Sequence, residues 1–128
     1  MSDWRAKVFD LLRNAPDVVA ACGNSVYLGA APPDAELPGI VFDEVSRAPS
    51  VAHDGGDTLD FVAIRVTGWA PTRDGAQALR GVARATLSLV SPGAPIVGPL
   101  VPETLEYTDD PQTGAFGASV TFAFAVSV

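Results

Sequence analysis

The sequence predicts an α+β fold in a single domain covering residues 1–128. Three observations carry that prediction. Residues 59–69 alternate apolar side chains in the manner of a strand, with Val62, Ile64 and Val66 on one face. An amphipathic helical pattern follows at once, through GWAPTRDGAQALRGVARATL. The C-terminal residues 115–128 then return to strict alternation, with Ala118, Val120, Phe122, Phe124, Val126 and Val128 on one side.

The first element is a helix over 3–14. Trp4, Val8, Leu11, Leu12 and Ala15 recur at spacings of three and four, which makes one apolar stripe. Ser2 or Asp3 supplies the capping oxygen for its orphan amides. Pro16 ends it, because proline disfavours helical geometry in the residue before it. A short helical turn is expected over 17–21, closed by Gly23 in a left-handed conformation.

A short strand is expected over 25–28, then an irregular loop over 29–38 with three prolines. GIVFDEVSR, residues 39–47, forms the second strand; its apolar first half and alternating second half show it leaving the core partway. Residues 48–58, APSVAHDGGDT, are polar and glycine-rich and are expected to form a long connection. The third strand covers 59–69; Phe61, Ala63, Arg65, Thr67 and Trp69 make its second, partly buried face.

The helix over 73–90 is capped by Thr72 and has Asp74 in its first turn, where a carboxylate complements the helix dipole. Ala76, Leu79, Val82, Ala83, Thr86, Leu87 and Val90 form its inward stripe, with Arg73, Gln77, Arg80, Arg84 and Ser88 on the other side. Ser91-Pro92-Gly93 stops it. A hairpin closes the chain: arms at 100–108 and 115–128, joined by the turn DDPQTG. The small residues Ser119, Thr121, Ala123 and Ala125 on the reverse of the last arm predict a close neighbour there.

Composition narrows the function. At 48% hydrophobic and 18% charged residues, the chain is globular. No apolar run approaches the ~20 residues of a membrane span. The interrupted N-terminus is an amphipathic helix, not a signal peptide. A net charge of −7 and a pI near 4.4 repel phosphates, which argues against nucleic-acid recognition as a primary role. Cys22 is the only cysteine and has no partner for an internal disulfide, which suits a reducing compartment.

Catalytic and metal-binding patterns are weak. His53 is the only histidine and sits beside Asp54 and Asp57 in a polar segment; its ordinary reading is a solvated side chain. With one histidine and one cysteine, a zinc site has no ligand set. Cys22 is read as a small buried hydrophobe rather than a nucleophile. The pairs Asp43/Glu44, Glu103/Glu106 and Asp109/Asp110 lack a partner pattern for acid–base work, and DDPQTG lacks the distal glutamate of a calcium loop. No phosphate-binding glycine loop is present. Neither catalysis nor a cofactor is expected. Arg73, Arg80 and Arg84 have two readings: a solvated helix face, or a subunit interface in which guanidinium groups meet the carboxylates of another copy.

In its order of landmarks the chain resembles the tail terminator or tail completion proteins of long-tailed bacteriophages, prophages and gene transfer agents. The resemblance runs over nearly the whole length. It rests on the leading helix followed by LLRNAPDVVAACGNSVYLGAAPPDAELPGIVF, the strand ending GWAPT, the alanine-rich RDGAQALRGVARATL, and the TDDPQTG turn before an aromatic last strand. It implies two helices on a mostly antiparallel sheet. It implies a ring, typically of six copies, that caps the head-proximal end of a tail tube, stops its growth and joins it to the head.

The implied partners are other copies of the chain, the tube protein and a head–tail connector or neck protein. Assembly would take place in the bacterial cytoplasm. There would be no membrane and no specific DNA contact, though DNA would pass through the ring. Two sets of residues are candidates: Arg73, Arg80 and Arg84 for contacts between copies, and Ser50, His53, Asp54 and Asp57 for contact with a neighbour or the tube. The competing readings are a neck or head-completion protein of the same particle, and a small bacterial ligand-binding or enzyme domain.

Overall fold

The computed structural model describes residues 4–23, 25–29, 38–50, 59–88, 101–110 and 115–127. The order is α1 (Trp4–Asn14), α2 (Pro16–Cys22), β1 (Val26–Leu28), β2 (Gly39–Ser50), β3 (Leu59–Ala70), α3 (Arg73–Ser88), β4 (Val101–Asp110) and β5 (Ala115–Ser127). The strands form one sheet in the order β1-β2-β3-β5-β4. Only β1 runs parallel to its neighbour, pairing with three residues of β2; every other pairing is antiparallel.

All three helices pack on one side of this sheet. Trp4, Val8 and Leu12 of α1, Val18 of α2, and Ala76, Leu79, Ala83 and Leu87 of α3 are buried in a single cluster. The sheet contributes Ile40 and Phe42, then Val62, Ile64 and Val66, then the β5 series from Ala118 to Val126. Register explains why these residues share a face: Phe42 pairs with Val66, and Val66 with Val120. Trp4 meets Phe124 edge-on at 5.4 Å between ring centroids, which ties the start of the chain to its last strand. An Arg5–Glu44 contact at 3.3 Å fixes α1 along β2.

Gly68 sets how closely α3 can approach. A Cβ at this position would lie 2.6 Å from the Leu79 Cβ and 3.2 Å from the Ala76 carbonyl, so only glycine lets the helix rest directly on β3. Thr72 caps α3 as expected: the Gly75 amide donates to its Oγ1 at 3.1 Å.

The α+β class and the main elements hold, and several boundaries move. The short turn expected over 17–21 is a third helix, α2, with Pro16 in its first turn, where the missing amide costs nothing. Gly23 has the expected positive φ of 62°, but its ψ of −127° lies outside the left-handed helical well; its amide still donates to the Val19 carbonyl. β2 runs three residues past Arg47, so Ala48, Pro49 and Ser50 belong to the strand and not to a loop. Asp109 and Asp110 are likewise paired in β4, opposite Phe116 and Ala115, which shortens the final turn. The N-cap at Ser2 or Asp3 and the stop at Ser91-Pro92-Gly93 lie outside the described residues.

Candidate functional site

The arginines singled out in the sequence lie on α3, and the fold directs Arg73 and Arg80 sideways onto β4. Residues 73, 77, 80 and 84 occupy one stripe at helical spacing. Beneath it Tyr107 rises from β4 on the helix side of the sheet, because it pairs with Ala118, a residue of the core face. The guanidinium carbons of Arg73 and Arg80 sit 5.3 and 4.8 Å from the Tyr107 ring centroid. Arg80 donates to the Tyr107 hydroxyl and to the Glu106 carbonyl, both at 3.4 Å, and Gln77 Nε2 donates to the same hydroxyl. Arg73 also covers Phe116, at 5.7 Å.

Arg73 and Arg80 are therefore held in place from within the same chain. The hydrogen bond from Arg80, reinforced by Gln77 and by the nearby guanidinium charges, lowers the Tyr107 pKa from its ordinary value, with partial burial opposing. Both acceptors of Arg80, a phenol and a backbone carbonyl, are neutral, so its charge is not cancelled there. Arg84 continues the stripe one turn on, exposed and without a hydrogen bond or ion pair among the described residues.

The second surface is the face of the sheet that the described helices leave bare. Phe61, 53% exposed, stands there beside Ala63, Arg65, Thr67 and Trp69 of β3, with Ser119, Thr121, Ala123 and Ala125 of β5 adjoining. The Arg65 Nε is buried without a hydrogen-bond partner. In register, Arg65 lies between Asp43 of β2 and Thr121 of β5. Ser119 is buried and Thr121, Ala123 and Ala125 are half-buried on this face, and the close neighbour that their size predicts is not found among the described helices.

Of the other sequence candidates, Ser50 is the last residue of β2, paired with Leu59 across the sheet. His53, Asp54 and Asp57 lie outside the described residues. Sequence reasoning missed Tyr107; it placed Gln77 on the same side of the helix as the arginines and weighed Glu106 only as one of a carboxylate pair. The available signal was the alternation of Leu105 and Tyr107 with polar neighbours, which marks a strand face aimed at a helix. Cys22 is half-buried against the core, and burial raises its thiol pKa, which lowers the thiolate fraction a nucleophile needs. Among the described residues no group of three potential ligands could hold a metal ion, and no helix is long and apolar enough to cross a membrane.

Three helices on one face of a five-stranded, mostly antiparallel sheet define an α+β protein. Residues 6–127 match the family described as tail completion protein gp17, and the chain belongs to that family. It is a phage tail structural protein and not an enzyme. Among solved structures, a chain from the virion of a native gene transfer agent particle shares the fold, with a TM-score of 0.70. The two are 19% identical, over 94% of this chain and 92% of that one. No curated protein matches the chain by sequence.

Proposed function

We propose that the protein forms a ring on the head-proximal end of a tail tube, ends tube growth there and offers the surface to which a head-side connector or neck protein binds. The observation that carries this reading is membership of the tail completion family over residues 6–127. The likeness to a chain of a gene transfer agent virion agrees at the level of fold. Assembly takes place in the bacterial cytoplasm, and the ring then becomes part of a phage or phage-like particle with DNA passing through it.

The α3 stripe supplies contacts between copies. Arg73 and Arg80 are braced on Tyr107, and Arg84 projects beyond them. Pre-positioned guanidinium groups lose less rotamer freedom on meeting a carboxylate. In a chain of net charge −7, carboxylates on the adjoining copy are the natural acceptors. Ser50, with His53, Asp54 and Asp57 in the segment that follows it, lies in the stretch assigned to contact with the tube or a neighbour.

The test is growth of the partner tube protein with and without this chain, followed by electron microscopy. Tubes that stop at a defined length, with a ring at one end, bear the proposal out; tubes whose length ignores the protein refute it. The Arg80→Glu/Arg84→Glu variant should lose the ring while keeping the monomer's thermal unfolding transition. A ring that survives both changes removes the arginines from the interface.

A further inference from the structure

Of the six exposed large apolar side chains among the described residues, Val19 lies on α2 and Phe61 on the central strand β3, and the other four lie at the two sheet edges. Leu28 and Val45 lie at the β1/β2 edge of the sheet, while Leu105 and Tyr107 lie on β4, the strand at the opposite edge. Among the described residues both edges also present backbone with no strand beside it, although the Glu106 carbonyl of β4 accepts from Arg80. β1 covers only Ile40, Val41 and Phe42 of β2, so the stretch from Asp43 onward pairs with β3 on one side and with no described strand on the other. Among the described strands β4 pairs only with β5.

Each edge carries a proline that lacks an amide, Pro49 on β2 and Pro102 on β4, and each carries a one-residue bulge, at Val45 and at Glu103. Proline-free stretches of similar length remain, six residues at 43–48 around the first bulge and seven at 104–110 beyond the second. Charge on the helix side of the sheet is also complementary. Glu44, which also meets Arg5 of α1, stands on the β2 edge, and Arg80 bonds the Glu106 carbonyl at the β4 edge.

We infer that the β2 edge of one copy pairs with the β4 edge of the next, so that the sheet continues from copy to copy. The inference rests on the ring reading, and it names the surfaces that join. Two different patches at opposite ends of one sheet cannot pair isologously; they join head to tail, and such a contact closes into a ring when the rotation between copies allows. β2 and β4 run in opposite directions within one copy. Rotation about an axis along the strands therefore brings them together antiparallel. Unpaired backbone groups satisfy each other, Val45 is covered against the Leu105 side, and Glu44 comes within reach of the next copy's α3 arginines.

The test uses Val45→Glu and Leu105→Glu, both at half-exposed positions outside the core, with circular dichroism to verify folding. The readout is native mass at a concentration where the unaltered chain is multimeric. Each variant alone should be monomeric. An equal mixture should give dimers and nothing larger, because only one sound β2 edge and one sound β4 edge remain to meet. A full-sized multimer from either variant, or a mixture that stays monomeric, overturns the inference. So does an unaltered chain that is monomeric at every concentration, while tube capping is read separately in the tube-growth assay. Open chains of unlimited length from the unaltered protein would uphold the edge contact and refute the ring.

Discussion

The six-membered ring of Trp69 occupies the space where Gly117 has no side chain. The two residues are cross-strand partners on β3 and β5, and a Cβ on Gly117 would lie 3.0 Å from Trp69 Cζ3 and 2.8 Å from the Thr108 carbonyl. A side chain at 117 would thus meet the indole from β3 and the backbone of β4 at once. Gly117→Ala is expected to cost about 1–3 kcal/mol, as overpacking does where backbone cannot yield. Urea unfolding followed by tryptophan fluorescence reads this directly; an unchanged midpoint would mean that the indole swings aside.

Two glycines of the α3 region should respond in opposite directions. Gly68→Ala drives a Cβ into Leu79 and the α3 backbone, so α3 must lift off β3, at a cost of about 1–3 kcal/mol. Gly81→Ala meets nothing within 4 Å on an exposed turn of the same helix. It should stabilise the protein by about 0.5–1 kcal/mol, through the helical preference of alanine. Paired thermal melts decide the matter, and equal shifts of one sign would contradict it.

Thr72→Ala removes the acceptor for the Gly75 amide and should cost about 1 kcal/mol, with Thr72→Ser recovering most of the loss. Hydrogen exchange at the first turn of α3 should accelerate in the alanine variant alone.

Tyr107 should ionise at a lower pH than an ordinary phenol, because the Arg80 hydrogen bond favours the phenolate. The folded-state pKa of an acid is depressed here, so the unfolded chain binds more protons between that value and the ordinary one. Folding stability from this group is therefore present above the ordinary pKa and is lost as pH falls through the lowered one. In a Tyr27→Phe background, absorbance at the phenolate band should show a single early transition, and Arg80→Gln should move it upward.

Much of the fold was legible in the sequence because local periodicity and burial coincide. The alternation in β5 and the stripe of α3 depend only on which residues meet the core, and both stand over the described residues, with Val90 and Val128 outside them. The misjudged boundaries share a cause. At Pro16 the proline that ends α1 also begins α2, and a proline signals either event equally. At Ala48–Ser50 and Asp109–Asp110, polar strand ends resemble turns until a partner strand is known. The arginine stripe was found but its direction was not. That direction depends on Tyr107, from a strand whose place beside β5 and beneath α3 is set by long-range pairing.

The strand order has a consequence for how the chain folds. β3 and β5, adjacent at the heart of the sheet, are separated in sequence by α3 and β4, so their pairing must wait for a large loop to close. The β2–β3 and β4–β5 pairs join neighbouring segments and can form first, as two separate hairpins. Until α3 settles over Gly68 and draws them together, each hairpin exposes a naked inner strand. A protein of this topology should therefore fold slowly for its size, and its most vulnerable moment comes before the middle of the sheet has zipped.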